Sequence, residues 1–93
     1  MVKEMDKEEL VGQFLCGWVS PFGIAKLEAG TGKTLAVERY MRTYLRALTL
    51  PELEFEFKYA ECNADVSPTI HFKINQASVG YDKYMARHGA KVA

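Results

Sequence analysis

Residues 30–34 of the chain read Gly-Thr-Gly-Lys-Thr, which are the residue types and the order that bind the phosphates of a nucleotide. In a P-loop, backbone N–H groups cradle the phosphates, a lysine reaches the terminal ones and a threonine hydroxyl holds Mg²⁺. The full motif opens with a further glycine, and this chain has Leu27 at that position. A degenerate P-loop is therefore one interpretation. Its nucleotide-binding residues would be Gly30, Gly32, Lys33 and Thr34.

The string from Glu28 to Thr34 resembles the phosphate loops of helicases and of the AAA+ ATPases. This short resemblance implies binding of ATP or GTP with Mg²⁺, in a parallel sheet that has helices on both faces. The chain has neither the strand–helix alternation of such a sheet nor a later apolar strand that ends in a Mg²⁺-binding aspartate. The same string also resembles the first hairpin turn of ubiquitin, which binds no phosphate. We favour the turn.

The residues around this turn predict a β-hairpin. Apolar and charged residues alternate over 24–29, and residues 34–37 would form the second strand, with Leu27 facing Val37. Leu35 lies off the apolar stripe that begins at Val37. The helix that follows is therefore expected to start near residue 37, after the hairpin.

The rest of the sequence predicts three helices and a second hairpin. Helical spacing of apolar residues predicts helices over about 6–18, 37–49 and 81–88. Strict alternation predicts strands over 53–59 and 70–74. Pro21 and Pro51 are expected to end the first two helices. The predicted fold is one α+β domain over residues 1–93, a small antiparallel sheet of two hairpins packed on two main helices.

Three glutamates on one predicted strand form the first candidate partner-binding site. Glu52, Glu54 and Glu56 would project from one face of that strand at ~6–7 Å steps. This is near the spacing of successive phosphates, so the row could mimic a nucleic acid toward a basic, nucleic-acid-binding protein. Alternatively, the charges keep that sheet face solvated and discourage edge pairing.

Three arginines on the second predicted helix form the other candidate site. Arg39, Arg42 and Arg46 lie opposite the apolar stripe and would make one basic ridge. Such a ridge could grip a phosphate backbone or an acidic partner. A solvated helix face is the alternative.

Composition excludes several classes of function. Among 93 residues, 12 are Lys or Arg and 12 are Asp or Glu, so the overall charge favours neither nucleic acid nor an anionic membrane. No apolar run approaches the ~20 residues that span a bilayer. Cys16 and Cys62 lack metal-ligand spacing and are expected to be reduced thiols in the cytoplasm. His71 and His88 have no ligand or triad spacing either, so no metal or catalytic site is predicted.

These observations predict a small non-enzymatic domain that binds another protein and needs no cofactor. It would act as an inhibitor or adaptor by occupying a partner's surface, and phage-encoded inhibitors of host defence are one such class. Nucleic acid and a second copy of the chain are the alternative partners. Aromatic residues such as Tyr40 and Tyr84 would either fill the core or form the interface.

Overall fold

The computed structural model describes residues 6–27 and 32–88, and it is 87% helical. The described residues contain no strand, so the predicted α+β domain with an antiparallel sheet of two hairpins is wrong. The fold is instead all-α with four main helices. The α-helical segments are α1 (Lys7–Phe14), α2 (Ser20–Phe22), α3 (Lys33–Ala47), α4 (Leu50–Asn63) and α5 (Pro68–His88).

The first helix is longer than the predicted range of 6–18. A π-helical turn at Leu15–Val19 joins α1 to the short α2, so that the helical backbone continues past Pro21 to Gly23. At its start, Glu9 Oε1 accepts a hydrogen bond from the backbone N–H of Asp6 at 3.1 Å. This contact caps the N-terminus, where backbone donors lack helical partners.

The first predicted hairpin is wrong wherever the structure describes it. Ile24–Lys26 is a 3₁₀ turn and not a strand, and residues 34–37 form the first turns of α3. Residues 28–31, including Gly30 and Thr31 of the predicted turn, lie outside the described residues. Gly32 precedes α3 with φ 95°, a left-handed conformation that glycine adopts without steric cost. Leu35 lies off the apolar stripe because it faces solvent on this helix.

The strand predicted over 53–59 is helix α4. Thr49 and Glu52 form a reciprocal capping box: Thr49 N–H donates to Glu52 Oε1 at 2.8 Å, and Glu52 N–H donates to Thr49 Oγ1 at 3.3 Å. Pro51 lies in the first turn, where its missing N–H costs nothing. Pro51 therefore starts a helix as well as preventing α3 from continuing. Leu53 and Ala60 are fully buried at helical spacing, whereas Phe55 is 62% exposed.

The strand predicted over 70–74 and the helix predicted over 81–88 are both parts of α5. Ser67 Oγ accepts a hydrogen bond from the backbone N–H of Ile70 at 3.3 Å, and Pro68 is the first helical residue. Ile70 and Ile74 are buried one helical turn apart, which matches a helix as well as it matches alternation along a strand. The last turns of α5, from Asp82 onward, are exposed.

The core lies where the first helix, α3, α4 and α5 meet. Helix α3 packs along α5 and against α1, and α1 also contacts α4. Phe14 on α1 is fully buried, and its ring centroid lies 5.7 Å from that of Phe57 on α4. The buried apolar residues are Val11, Phe14, Leu15, Val19, Ile24, Val37, Met41, Leu45, Leu53, Ala60, Val66, Ile70 and Ile74.

Helices α3 and α5 run antiparallel. Near the start of α3, Lys33 Nζ lies 3.1 Å from Asp82 Oδ2, in the second half of α5. Further along α3, the Tyr44 ring lies under Lys73 Nζ, which is in the first half of α5. This pairing places the surfaces of the two helices side by side along their shared length.

Candidate protein-binding surface

The three glutamates predicted to share a strand face do not share one on α4. Glu52 lies in the capping box, and Glu54 lies about 200° around the helix from it. Glu56 is 9% exposed, and its Oε1 accepts a hydrogen bond from the hydroxyl of Ser67 at 2.7 Å. Helix α4 therefore presents no evenly spaced row of these three glutamates that a basic partner could bind.

The three arginines of the basic ridge do lie on one side of α3, and two of them form ion pairs. Arg46 Nε lies 3.0 Å from Glu8 Oε2, and Arg46 Nη2 donates to Glu8 Oε1 at 3.0 Å. Arg42 Nη2 lies 3.5 Å from Glu38 Oε2, one helical turn away. Among the described side chains, only Arg39 of this ridge has no ion pair. The ridge partly serves to tie α3 to α1.

The P-loop-like residues mark the start of α3, but the lysine is engaged within the fold. The Lys33 side chain is 17% exposed and pairs with Asp82. The described segment before Gly32 is a 3₁₀ turn, where a P-loop has a strand. Thr34 is partly buried in the first turn of α3, and Gly30 lies outside the described residues. The ion pair between Lys33 and Asp82 therefore joins α3 to α5.

His71 contacts one carboxylate that sequence spacing did not reveal. Its Nε2 lies 3.1 Å from Asp65 Oδ1 across the turn between α4 and α5. Burial alone would raise the pKa of Asp65, but hydrogen bonds from His71 and from the Val66 N–H outweigh it and lower that pKa. Within residues 6–27 and 32–88, no three His, Cys, Asp or Glu side chains come close enough to hold a metal ion.

A groove lies between α3 and α5. Three tyrosines and three small residues are among the residues that line it. Its volume is about 440 Å³. The lining residues are Ala36, Tyr40, Gln76, Ala77, Gly80, Tyr81 and Tyr84.

A second groove of about 420 Å³ continues this surface across α5. It shares Gln76 and Gly80 with the first groove and adds Phe72 and Val79, both more than half exposed. Tyr84 is also more than half exposed. Contiguous exposed apolar patches of this kind on a small domain mark interaction sites. We call the two grooves together the α3–α5 surface.

No family model matches the chain, and no curated protein or solved structure is significantly similar to it. The α3–α5 surface must therefore be interpreted from its own chemistry. No described helix combines the length and the apolar character that crossing a membrane requires.

The charge of the α3–α5 surface is positive. Lys83 lines it, and none of its lining residues is a carboxylate. The nearest acidic residues in sequence, Glu38 and Asp82, are paired with Arg42 and Lys33. An approaching partner would therefore meet exposed aromatic rings beside the Lys83 ammonium group, which forms no ion pair within the described part of the chain.

The sequence identified the tyrosines of this surface but not its position. Tyr40 and Tyr84 each belong to an apolar stripe, and a stripe by itself does not show which of its members face another helix. Alternation over 70–74 would place Phe72 on the inner face of a sheet, and it is instead exposed on α5. The sequence signal for this surface was the pair of small residues Ala77 and Gly80, because together they leave room for a third structural element to pack against α5.

Proposed function

We propose that this chain is a non-enzymatic, cytoplasmic protein-binding domain that acts as an inhibitor or adaptor by occupying a partner's surface through the α3–α5 surface. The observation that carries the proposal is the joined pair of grooves, with Tyr84, Phe72 and Val79 exposed around Gly80. Tyrosine is enriched at the energetic centres of protein interfaces. Cys16 and Cys62 are free and exposed, which suits a reducing compartment.

The shape and charge of the surface define the partner's chemistry. A groove between two antiparallel helices accepts a third helix, whose apolar face lies against the small residues at the floor. Lys83 favours a partner that carries carboxylates beside that apolar face. The expected partner segment is therefore an amphipathic helix with acidic flanks, which replaces the basic partner predicted from the glutamate row.

Two designed helical peptides with the same apolar face, one flanked by glutamates and one by lysines, test this proposal. We expect the glutamate-flanked peptide to bind more tightly, and we expect Tyr84→Ala to weaken that binding about tenfold or more, as loss of an interface hot spot does. Fluorescence anisotropy measures both affinities. Tyr59→Ala is the matched control, because Tyr59 is a partly exposed tyrosine on α4 that does not line the α3–α5 surface.

Equal affinity for the two peptides, or equal loss of affinity in the Tyr84 and Tyr59 variants, would show that this surface is not the binding site. The same three proteins can be used as bait in the native host. A partner that the wild type and Tyr59→Ala retain, and that Tyr84→Ala loses, is the one that occupies the α3–α5 surface.

Nucleotide binding at Gly30–Thr34 stays an alternative prediction, and the Lys33–Asp82 ion pair argues against it. We expect millimolar Mg-ATP or Mg-GTP to leave the backbone amide resonances of residues 32–35 unchanged, because the lysine is held away from a phosphate. Asp82→Asn, which frees Lys33, provides the comparison. Saturable shifts at these amides in the wild-type protein would establish the P-loop interpretation. Nucleic-acid binding by Arg39, Arg42 and Arg46 likewise stays a prediction.

A further inference from the structure

A separate groove, at the corner where α3 meets α4, combines aromatic rings with two carboxylates. Its volume is about 330 Å³, and it shares no lining residue with the α3–α5 surface. The residues that line it are Tyr44, Leu48, Pro51, Glu52, Phe55 and Glu56.

The two carboxylates of this groove lie one helical turn apart on α4, and each has an oxygen to spare. Glu52 uses Oε1 to accept from the Thr49 N–H, and Glu56 uses Oε1 to accept from the Ser67 hydroxyl. No described residue donates to either Oε2. Within the described residues no buried side-chain oxygen lacks a partner, so Glu56 Oε2 is in contact with solvent.

The aromatic part of the groove already holds a cation of the chain itself. Lys73 Nζ lies 5.3 Å from the centroid of the Tyr44 ring, within the range of a cation–π interaction. Lys73 forms no ion pair with Glu52 or Glu56. Neither carboxylate forms an ion pair with a described side chain, and the charge of Lys7 acts on Glu52 only from beyond ion-pair distance.

We propose that this groove binds an alkylammonium group, such as a lysine side chain of a partner protein or a free quaternary amine. Aromatic faces attract such a group through their electron-rich surfaces, and the carboxylates supply direct charge attraction. Burial raises the pKa of the Tyr44 phenol, and the charges of Glu56 and Glu52 raise it further, which agrees with a negative potential at this position. This site does not depend on the function proposed for the α3–α5 surface.

Choline and its uncharged isostere 3,3-dimethylbutan-1-ol test the proposal, because they differ only in the quaternary atom and its charge. We expect choline at constant ionic strength to shift the ring resonances of Tyr44 and Phe55 in a saturable way, with a dissociation constant on the order of millimolar. The alcohol should shift them far less. An equal response to both compounds, or no saturation by choline up to about 100 mM, overturns the proposal.

Charge variants of the same helix locate the site. Glu52→Gln and Glu56→Gln should each weaken choline binding about three- to tenfold, and glutamine can keep the capping and serine contacts. Glu54→Gln removes the same charge from outside the groove and should leave the affinity unchanged. Lys73→Met should strengthen binding by removing a competing cation. If Glu54→Gln weakens choline binding as much as Glu52→Gln does, the effect comes from the overall charge of the protein, and the proposed site is wrong.

Peptides identify the natural source of the ammonium group. An acetylated Gly-Lys-Gly amide is compared with the same peptide that carries norleucine, which has the four side-chain carbons of lysine but no ammonium group. Tighter binding of the lysine peptide than of choline assigns the groove to a partner's lysine, and the reverse assigns it to a small quaternary amine. If neither the lysine peptide nor choline binds, the proposal is wrong.

Discussion

Replacing Leu53 with alanine is expected to lower the free energy of unfolding by about 2–5 kcal/mol, whereas Phe55→Ala should lower it by less than about 0.5 kcal/mol. Leu53 is fully buried within the hydrophobic core, so its removal loses apolar contacts and leaves a cavity. Phe55 is 62% exposed, and its nearest aromatic neighbour is Tyr59 on the same helix. Urea titration followed by far-ultraviolet circular dichroism measures both values.

Comparison of these two variants distinguishes a helix from a strand at residues 53–55. On a strand, positions 53 and 55 would point to the same face and would be buried together. On α4 they lie about 200° apart, and only one of them reaches the core. Similar losses of stability in the two variants would therefore contradict the all-α fold, and a large difference supports it.

The alternation of residues 53–59 was misleading because two periods fit the same short sequence. Leu53, Phe57 and Ala60 follow the helical period, while Leu53, Phe55 and Phe57 follow the period of a strand. The deciding signal lay outside the run, in Thr49-Leu50-Pro51-Glu52. That string is a capping box with proline in the first turn, and it was interpreted only as the end of the preceding helix.

The same reason applies to α5. Strands over 53–59 and 70–74 would place Ser67-Pro68 in the loop between them, yet a serine cap followed by proline is also the start of a helix. By contrast, the apolar stripe of α3 was long enough for the helical period to be recognised without its caps. Apolar patterns were therefore informative where they extended over more than three helical turns. They were ambiguous where they were shorter, or where the residues that start a helix were interpreted as the end of the preceding element.

The candidate sites depended on contacts between residues far apart in sequence, and these could not be predicted. Nothing in the local sequence pairs Arg46 with Glu8, or Lys33 with Asp82, because those contacts arise only when α3 packs against α1 and α5. The charges of the ridge and of the P-loop-like string were identified correctly. The residues that pair with these charges within the fold determine how much charge remains for a ligand, and they could be identified only from the tertiary structure.

Gly23→Ala should destabilise the fold by about 1–3 kcal/mol, the range for overpacking a filled core. A Cβ atom at this position would lie 2.3 Å from Ile74 Cδ1 and 2.9 Å from the Val19 carbonyl oxygen. Ile74 is itself 2% exposed, so its methyl group has no solvent to move into. The end of the first helix can approach α5 this closely because residue 23 has no side chain.

Gly12→Ala is the matched control and should have the opposite sign. A Cβ atom at Gly12 would meet nothing within 4 Å, and the residue lies inside α1. Alanine is favoured over glycine in a helix interior by roughly 0.5–1 kcal/mol, so this variant is expected to be more stable than the wild type. Thermal and urea unfolding of both variants measure the change in stability. They would show whether the loss in Gly23→Ala comes from the contact at residue 23 or from any glycine-to-alanine change.

Ile74→Val provides a rescue, since it deletes the Cδ1 atom that the new Cβ atom would strike. Alone it should cost about 0.5–1.5 kcal/mol. Combined with Gly23→Ala, it should cost clearly less than the sum of the two single changes, because the clash and the lost methyl group occupy the same space. Strict additivity would mean that Gly23 and Ile74 are not in contact, and that the first helix does not pack on α5 in the way that positions the α3–α5 surface.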